Sequence, residues 1–145
     1  MLACTGFPQC NGQWWPAMDW AGGFELLRGL GETGVSGAMT TQALVAIHMA
    51  HRLFALVATG ALLWLAASLW RTQDALLRRF GAGLALLLLA QLASGLSNVV
   101  LGWPLVAALA HSAGAAALVL LLTLLLARSA APAAARVLRH HAVAT

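Results

Sequence analysis

The stretch Ile47-His48-Met49-Ala50-His51-Arg52 carries two imidazoles three residues apart and a guanidinium beside the second. On a helix, residues three apart share one face. Eighteen uncharged residues follow, Leu53 to Trp70, so these groups stand at the head of a run able to cross a bilayer. A further histidine, His111, lies inside the apolar run LVAALAHSAGAAAL. Ionisable groups within a membrane span are costly and by default mark a functional site. A neutral imidazole is a metal ligand, and two imidazoles on neighbouring helices can grip one metal if their depths agree. His51 is eight residues past Ala43 and His111 seven past Pro104, the expected outer ends of their spans. At ~1.5 Å per residue both lie about 10–12 Å below those ends.

The residues around His111 are small: Ala107, Ala108, Ala110, Ala113, Gly114 and Ala115. Small residues serve close helix packing or leave room for a flat, bulky ligand. Haem iron is held by axial histidines, and helix-bundle interiors are where such sites are built. Arg52 has no acid in any span to pair with. It either snorkels to headgroups or meets an anion such as a haem propionate. Gln91, Ser94 and Asn98, three and four apart on one face, either form interhelical hydrogen bonds or line a pocket. His48 is a reserve ligand, nearly a turn closer to the surface. His140 and His141 belong to a basic tail and read as solvated interface residues.

The elements that must position these groups follow from composition. Of 145 residues, 61% are hydrophobic and 8% charged, against about 25% charged in soluble domains. Mean hydropathy is +0.85, so the chain belongs in a bilayer. Its net charge of +4 is not a nucleic-acid signature, because the arginines flank apolar runs rather than forming a basic stripe. The expected architecture is all-α: an integral membrane bundle of three transmembrane helices plus an outer loop with a short amphipathic helix. The spans are expected at about Ala43–Trp70, Phe80–Leu101 and Pro104–Ala127, with RTQDALLRR as a charged loop and Gly102-Trp103-Pro104 as a tight turn. Thr40 or Thr41 is expected to cap the first span.

Six of the eight arginines, Arg71, Arg78, Arg79, Arg128, Arg136 and Arg139, fall on one side of these spans. The positive-inside rule makes that side cytoplasmic. Residues 1–42 then form a periplasmic cysteine-bearing segment, 43–127 the transmembrane haem-binding domain, and 128–145 a cytoplasmic basic tail. Trp103 and the group Trp14, Trp15 and Trp20 would mark the outer interface. Within the outer segment, DWAGGFELLRGL reads as a surface amphipathic helix and GETGVSG as a flexible link. Cys4 and Cys10 enclose five residues in an oxidising compartment. The first reading is a disulfide stapling the loop, and the sharper one a redox-active pair.

Together LACTGFPQCNGQWWPAMDWAGGFELLRGLG, AIHMAHRLFAL and QLASGLSNVVLGWPLVAALAHSAGAAAL, in this order, resemble the C-terminal half of the haem A synthase family of cytochrome oxidase assembly. The resemblance runs from Leu2 to about Arg128. Family members have eight spans in two similar halves, each with a histidine pair. The N-terminal half is associated with haem O chemistry and the C-terminal half with a haem b. The resemblance thus implies a bacterial inner-membrane protein in which His51 and His111 ligate the iron of haem b. Cys4 and Cys10 match the outer-loop pair. His48 stands where the N-terminal half usually carries a glutamate, which favours the C-terminal half. The implied function is support of the oxidation of the haem O C8 methyl group to the formyl of haem A.

The expected partners are membrane lipid, haem, and either the missing N-terminal half or a second copy, besides haem O synthase or oxidase assembly factors. No nucleic acid is expected. Met1 leads into a polar, aromatic stretch without the basic start and apolar core of a signal peptide. The expectation is therefore a fragment, a split gene or a misplaced start, inactive alone. The alternative is a stand-alone membrane b-type cytochrome or haem-binding module. A haem path across the membrane usually needs four intramembrane histidines, and a thiol–disulfide oxidoreductase two cysteine pairs. Neither requirement is met.

Overall fold

Backbone groups in hydrocarbon must satisfy one another, so long apolar runs fold as helices. The computed structural model describes residues 3–25 and 39–143, with the backbone alone from 131 onward. Among the described residues there are four helices: α1 (Trp20–Gly23), α2 (Thr41–Trp70), α3 (Ala75–Val100) and α4 (Leu105–Val143). Three of the described stretches are long and apolar enough to cross a membrane: Thr41–Trp70, Ala75–Val100 and Leu105–Ala130. The three-span helical architecture expected from the sequence is thus the one observed.

The element ends differ from expectation for local reasons. Thr40 caps α2, its Oγ1 accepting from Ala43 N at 3.1 Å. The α3 helix begins five residues earlier than expected, at Ala75 rather than Phe80. Asp74 starts it, its Oδ1 accepting from Leu76 N at 2.7 Å and Leu77 N at 3.2 Å. Arg78 and Arg79 are therefore helical, and the connection from α2 shrinks to residues 71–74. The expected amphipathic helix from Asp19 is a single described turn. Asp19 caps it through Gly22 N, and Phe24 already leaves helical geometry. The rest of that expected helix, from Leu26, and the GETGVSG link lie outside the described residues. After Val100, Gly102 (φ 71°) and Trp103 (φ 67°) turn the chain, and Trp103 N donates to Asn98 O at 2.8 Å.

The chain divides into two units, one of Met1–Ala61 and Gly95–Ala108, the other of Leu62–Ser94 and Leu109–Thr145. In the first, the disulfide Cys4–Cys10 is buried with Val45 and Met49, and Ala3 and Met18 pack on that cluster. Gly23 allows close approach, since a Cβ there would lie 3.0 Å from Ala43 O. The second unit centres on Ala66, Leu84 and Leu118, one from each long helix. Helices in lipid associate through close packing rather than the hydrophobic effect. Gly81 illustrates this, because a Cβ there would lie 3.1 Å from both Ala66 O and Leu69 Cβ.

Gly81→Leu should therefore force α3 off α2 within this unit. We expect a loss of about 1–3 kcal/mol, the usual cost of overpacking, read as a lower thermal unfolding midpoint in detergent. Gly60→Ala is the control, since an added Cβ there meets nothing within 4 Å, and its midpoint should match or exceed the parent.

Candidate functional site

The sequence-predicted site residues fall in both units. Cys4, Cys10, His48, His51 and Arg52 belong to the first, and His111 to the second. From the observed helix starts, His51 is ten residues past Thr41 and His111 six past Leu105. The near-equal offsets expected from the sequence, eight and seven, do not hold. By this count His48, seven past Thr41, is the closer match to His111.

His111 is half-buried, and its ring is oriented by α3. Its Nδ1 lies 3.2 Å from the Gln91 backbone carbonyl and 3.2 Å from Ser94 Oγ. A carbonyl can only accept, so the Gln91 contact suits the tautomer with its proton on Nδ1. Ser94 Oγ also donates to Gln91 O, at 3.1 Å. Nε2 then carries the lone pair, and the Gln91 carboxamide Nε2 stands 3.5 Å away, a long contact. Gln91 Oε1 is buried and has no hydrogen-bond partner. A Cβ on Gly114 would clash with that oxygen, so the glycine makes the space the carboxamide uses. Of the expected polar face, Gln91 and Ser94 thus meet His111. Asn98 belongs to the first unit, buried, its Oδ1 without a partner.

Arg52 was given two prospective partners by the sequence, headgroups or a propionate. The structure adds backbone carbonyls of the outer loop. Nη1 donates to Gln9 O at 3.2 Å and Pro8 O at 3.3 Å, and Nη2 to Gly6 O at 3.0 Å. The Phe7 ring centroid lies 6.0 Å from the guanidinium carbon, within cation–π range. All three carbonyls come from the segment that the disulfide closes.

Asn11 organises that segment and was missed at the sequence level. Its Oδ1 accepts from Thr5 N (2.9 Å) and Thr5 Oγ1 (2.8 Å), and its Nδ2 donates to Ala3 O (3.1 Å). Asn11 and Gly12 both have positive φ, 53° and 79°. Cys10 and Gln13 pair across them, with N···O distances of 2.9 and 3.0 Å. The Asn-Gly dipeptide is the signal that announces such a turn.

Among the described residues no group of three or more His, Cys, Asp or Glu side chains is placed to hold a metal ion. A macrocycle supplying four nitrogens needs only one or two imidazoles, and His111 fits that demand. A metal-ligating histidine characteristically donates its other N–H to a carbonyl or carboxylate, as Nδ1 does here.

Residues 1–123 match the family described as cytochrome oxidase assembly protein (COX15-CtaA). Over 115 residues the chain is 36% identical to the heme A synthase of Shewanella oneidensis, a match covering 79% of this chain and 34% of that protein. The chain thus spans about a third of the length of this curated relative. No solved structure matches it.

The disulfide is shielded, with Cys4 and Cys10 exposing 0% and 1% of their surface. Reductant reaches it when the loop lifts from α2. Asn11→Ala and Arg52→Ala each remove hydrogen bonds that hold the loop closed, of which each contributes about 0.5–1.5 kcal/mol net. Each variant should be reduced by a mild dithiol several-fold faster than the parent, measured by quenched thiol labelling. Unchanged rates in both would show that the loop is held by other contacts.

Proposed function

The chain belongs to the cytochrome oxidase assembly protein family, and on that premise we propose that it is the C-terminal, haem b-binding part of a haem A synthase. In this reading it supports oxidation of the haem O C8 methyl group to the formyl of haem A. It lies in the bacterial inner membrane, with the segment before α2 periplasmic and the C-terminus cytoplasmic, as the arginine distribution favours.

The observation that carries the haem assignment is the state of His111. Its Nδ1 lies 3.2 Å from the Gln91 carbonyl, an arrangement that favours the tautomer in which Nε2 is the acceptor. The Gln91 carboxamide Nε2 stands 3.5 Å from His111 Nε2. His51 is proposed as the second axial ligand, on its match to the family's His-Arg motif. Arg52 is proposed to face a propionate, since its guanidinium carries more N–H donors than its three carbonyl bonds use. Bound haem supplies a one-electron redox centre. The protein's part is to orient the imidazoles, offset the propionate charge and surround the ring with small apolar side chains.

The conversion of haem O is assigned to an assembly containing the remaining length of such a relative, supplied by further chain, a separate subunit or a second copy.

Two experiments test the proposal. The purified protein, given haem b, should show a low-spin bis-histidine spectrum that His51→Ala and His111→Ala each abolish and His48→Ala preserves. Ser94→Ala should keep the spectrum and weaken haem affinity, with about tenfold the expected scale for a residue supporting a ligand. Loss in His48→Ala with retention in His51→Ala would move the second ligand to His48. In a strain lacking haem A synthase, haem extraction should find haem A only when the chain is expressed with a matching N-terminal half. Haem A from the chain alone would point to a self-sufficient homodimer. A haem spectrum with haem A in neither case would favour the membrane b-type cytochrome.

A further inference from the structure

The outer loop lies alongside α2 for three helical turns, and this locates the lipid. Asp19 N donates to Gln42 O at 3.2 Å. The disulfide packs on Val45 and Met49. The carbonyls of Gly6, Pro8 and Gln9 reach Arg52. Val45, Met49 and Arg52, four and three residues apart, form one stripe of the helix. The next residue on that stripe, Leu56, is 71% exposed. Loop backbone therefore covers the stripe as far as Arg52 and leaves it bare one turn later.

An irregular segment exposed to hydrocarbon would strand its backbone polar groups without water. The loop must then lie outside the hydrocarbon, and so must the part of α2 beside it. Lengths agree with this. The thirty residues of α2 span about 45 Å at 1.5 Å per residue, against ~30 Å of hydrocarbon. The twelve residues from Thr41 to Arg52 account for about 18 Å of that length. The eighteen uncharged residues from Leu53 to Trp70 supply about 27 Å.

The loop itself is suited to the headgroup layer. No charged residue occurs from Ala3 to Met18, whereas Phe7, Trp14 and Trp15 are strongly exposed. Phe7 sits at the level of Arg52, against its guanidinium. Aromatic side chains of this kind concentrate at membrane–water interfaces.

We propose that the hydrocarbon begins between Arg52 and Leu56, and that the disulfide-closed loop is a membrane-interface platform whose exposed aromatics rest in the lipid headgroup layer. The partner of this surface is the bilayer itself. The first three turns of α2 stand above the hydrocarbon, so His48, His51 and Arg52 occupy the interface rather than the membrane interior. This holds whichever side of the membrane α2 starts from, and it does not depend on haem binding.

The test is single-site spin labelling of the full chain in phospholipid vesicles, with the Cys4–Cys10 disulfide intact. Labels replace Leu44, Ile47, Leu56, Val57, Phe7 or Trp14 one at a time. Collision rates are read with oxygen, which enriches in lipid, and with a water-soluble nickel complex. At 44 and 47 the nickel complex should dominate severalfold, and at 56 and 57 oxygen should. Labels at 7 and 14 should fall between, at headgroup depth. A lipid-like signal at 44 would overturn the boundary. Shielding of 56 from both reagents would mean that protein, not lipid, covers the stripe. Fully aqueous labels at both 7 and 14 would overturn the platform. Trp14 is the second site in case replacing Phe7 disturbs the loop.

Discussion

A backbone carbonyl or N–H inside the hydrocarbon of a membrane has to find its partner within the protein. In this chain three long helices among the described residues meet that demand. Three of the helix ends are closed by specific devices: Thr40 and Asp74 at two N-termini, and the Gly102–Trp103 turn after α3. The loop before α2 closes on itself through Asn11 and the disulfide, then offers its surplus carbonyls to Arg52. The arginine that looked expensive in a span is thereby part of the loop's own accounting. It provides three donors for three acceptors that helix geometry could not satisfy.

That arrangement explains what the sequence revealed and what it hid. The three spans were legible because hydropathy is a property of consecutive residues, and a run of about 20 apolar residues has few alternatives. The start of α3 was less so. Arg78 and Arg79 suggested a loop, but a capping aspartate decides where a helix begins, and arginine is a good helix former. Arg52's partners were hidden because they are main-chain oxygens 43 to 46 residues away. Carbonyls have no side-chain signature, so a search for acids found none. The offset argument for His51 and His111 suffered from the same boundary problem, since a shift of two residues at Thr41 moves a histidine by about 3 Å.

The polar face of α3 was read as either a set of helix-packing bonds or a pocket lining, and the second unit shows why the alternatives merge. Gly114 permits close approach as a packing residue does, and what approaches is the Gln91 carboxamide. The same turn of α3 presents its carbonyl and the Ser94 hydroxyl to the His111 ring. Packing therefore sets the tautomer: were the helices further apart, Nδ1 would lose its acceptor and the proton could reside on either nitrogen. Gln91 Oε1 remains buried without a donor, an arrangement that costs about 1–3 kcal/mol. The space that Gly114 leaves is thus filled by the polar end of Gln91, beside the imidazole that the same turn of α3 contacts.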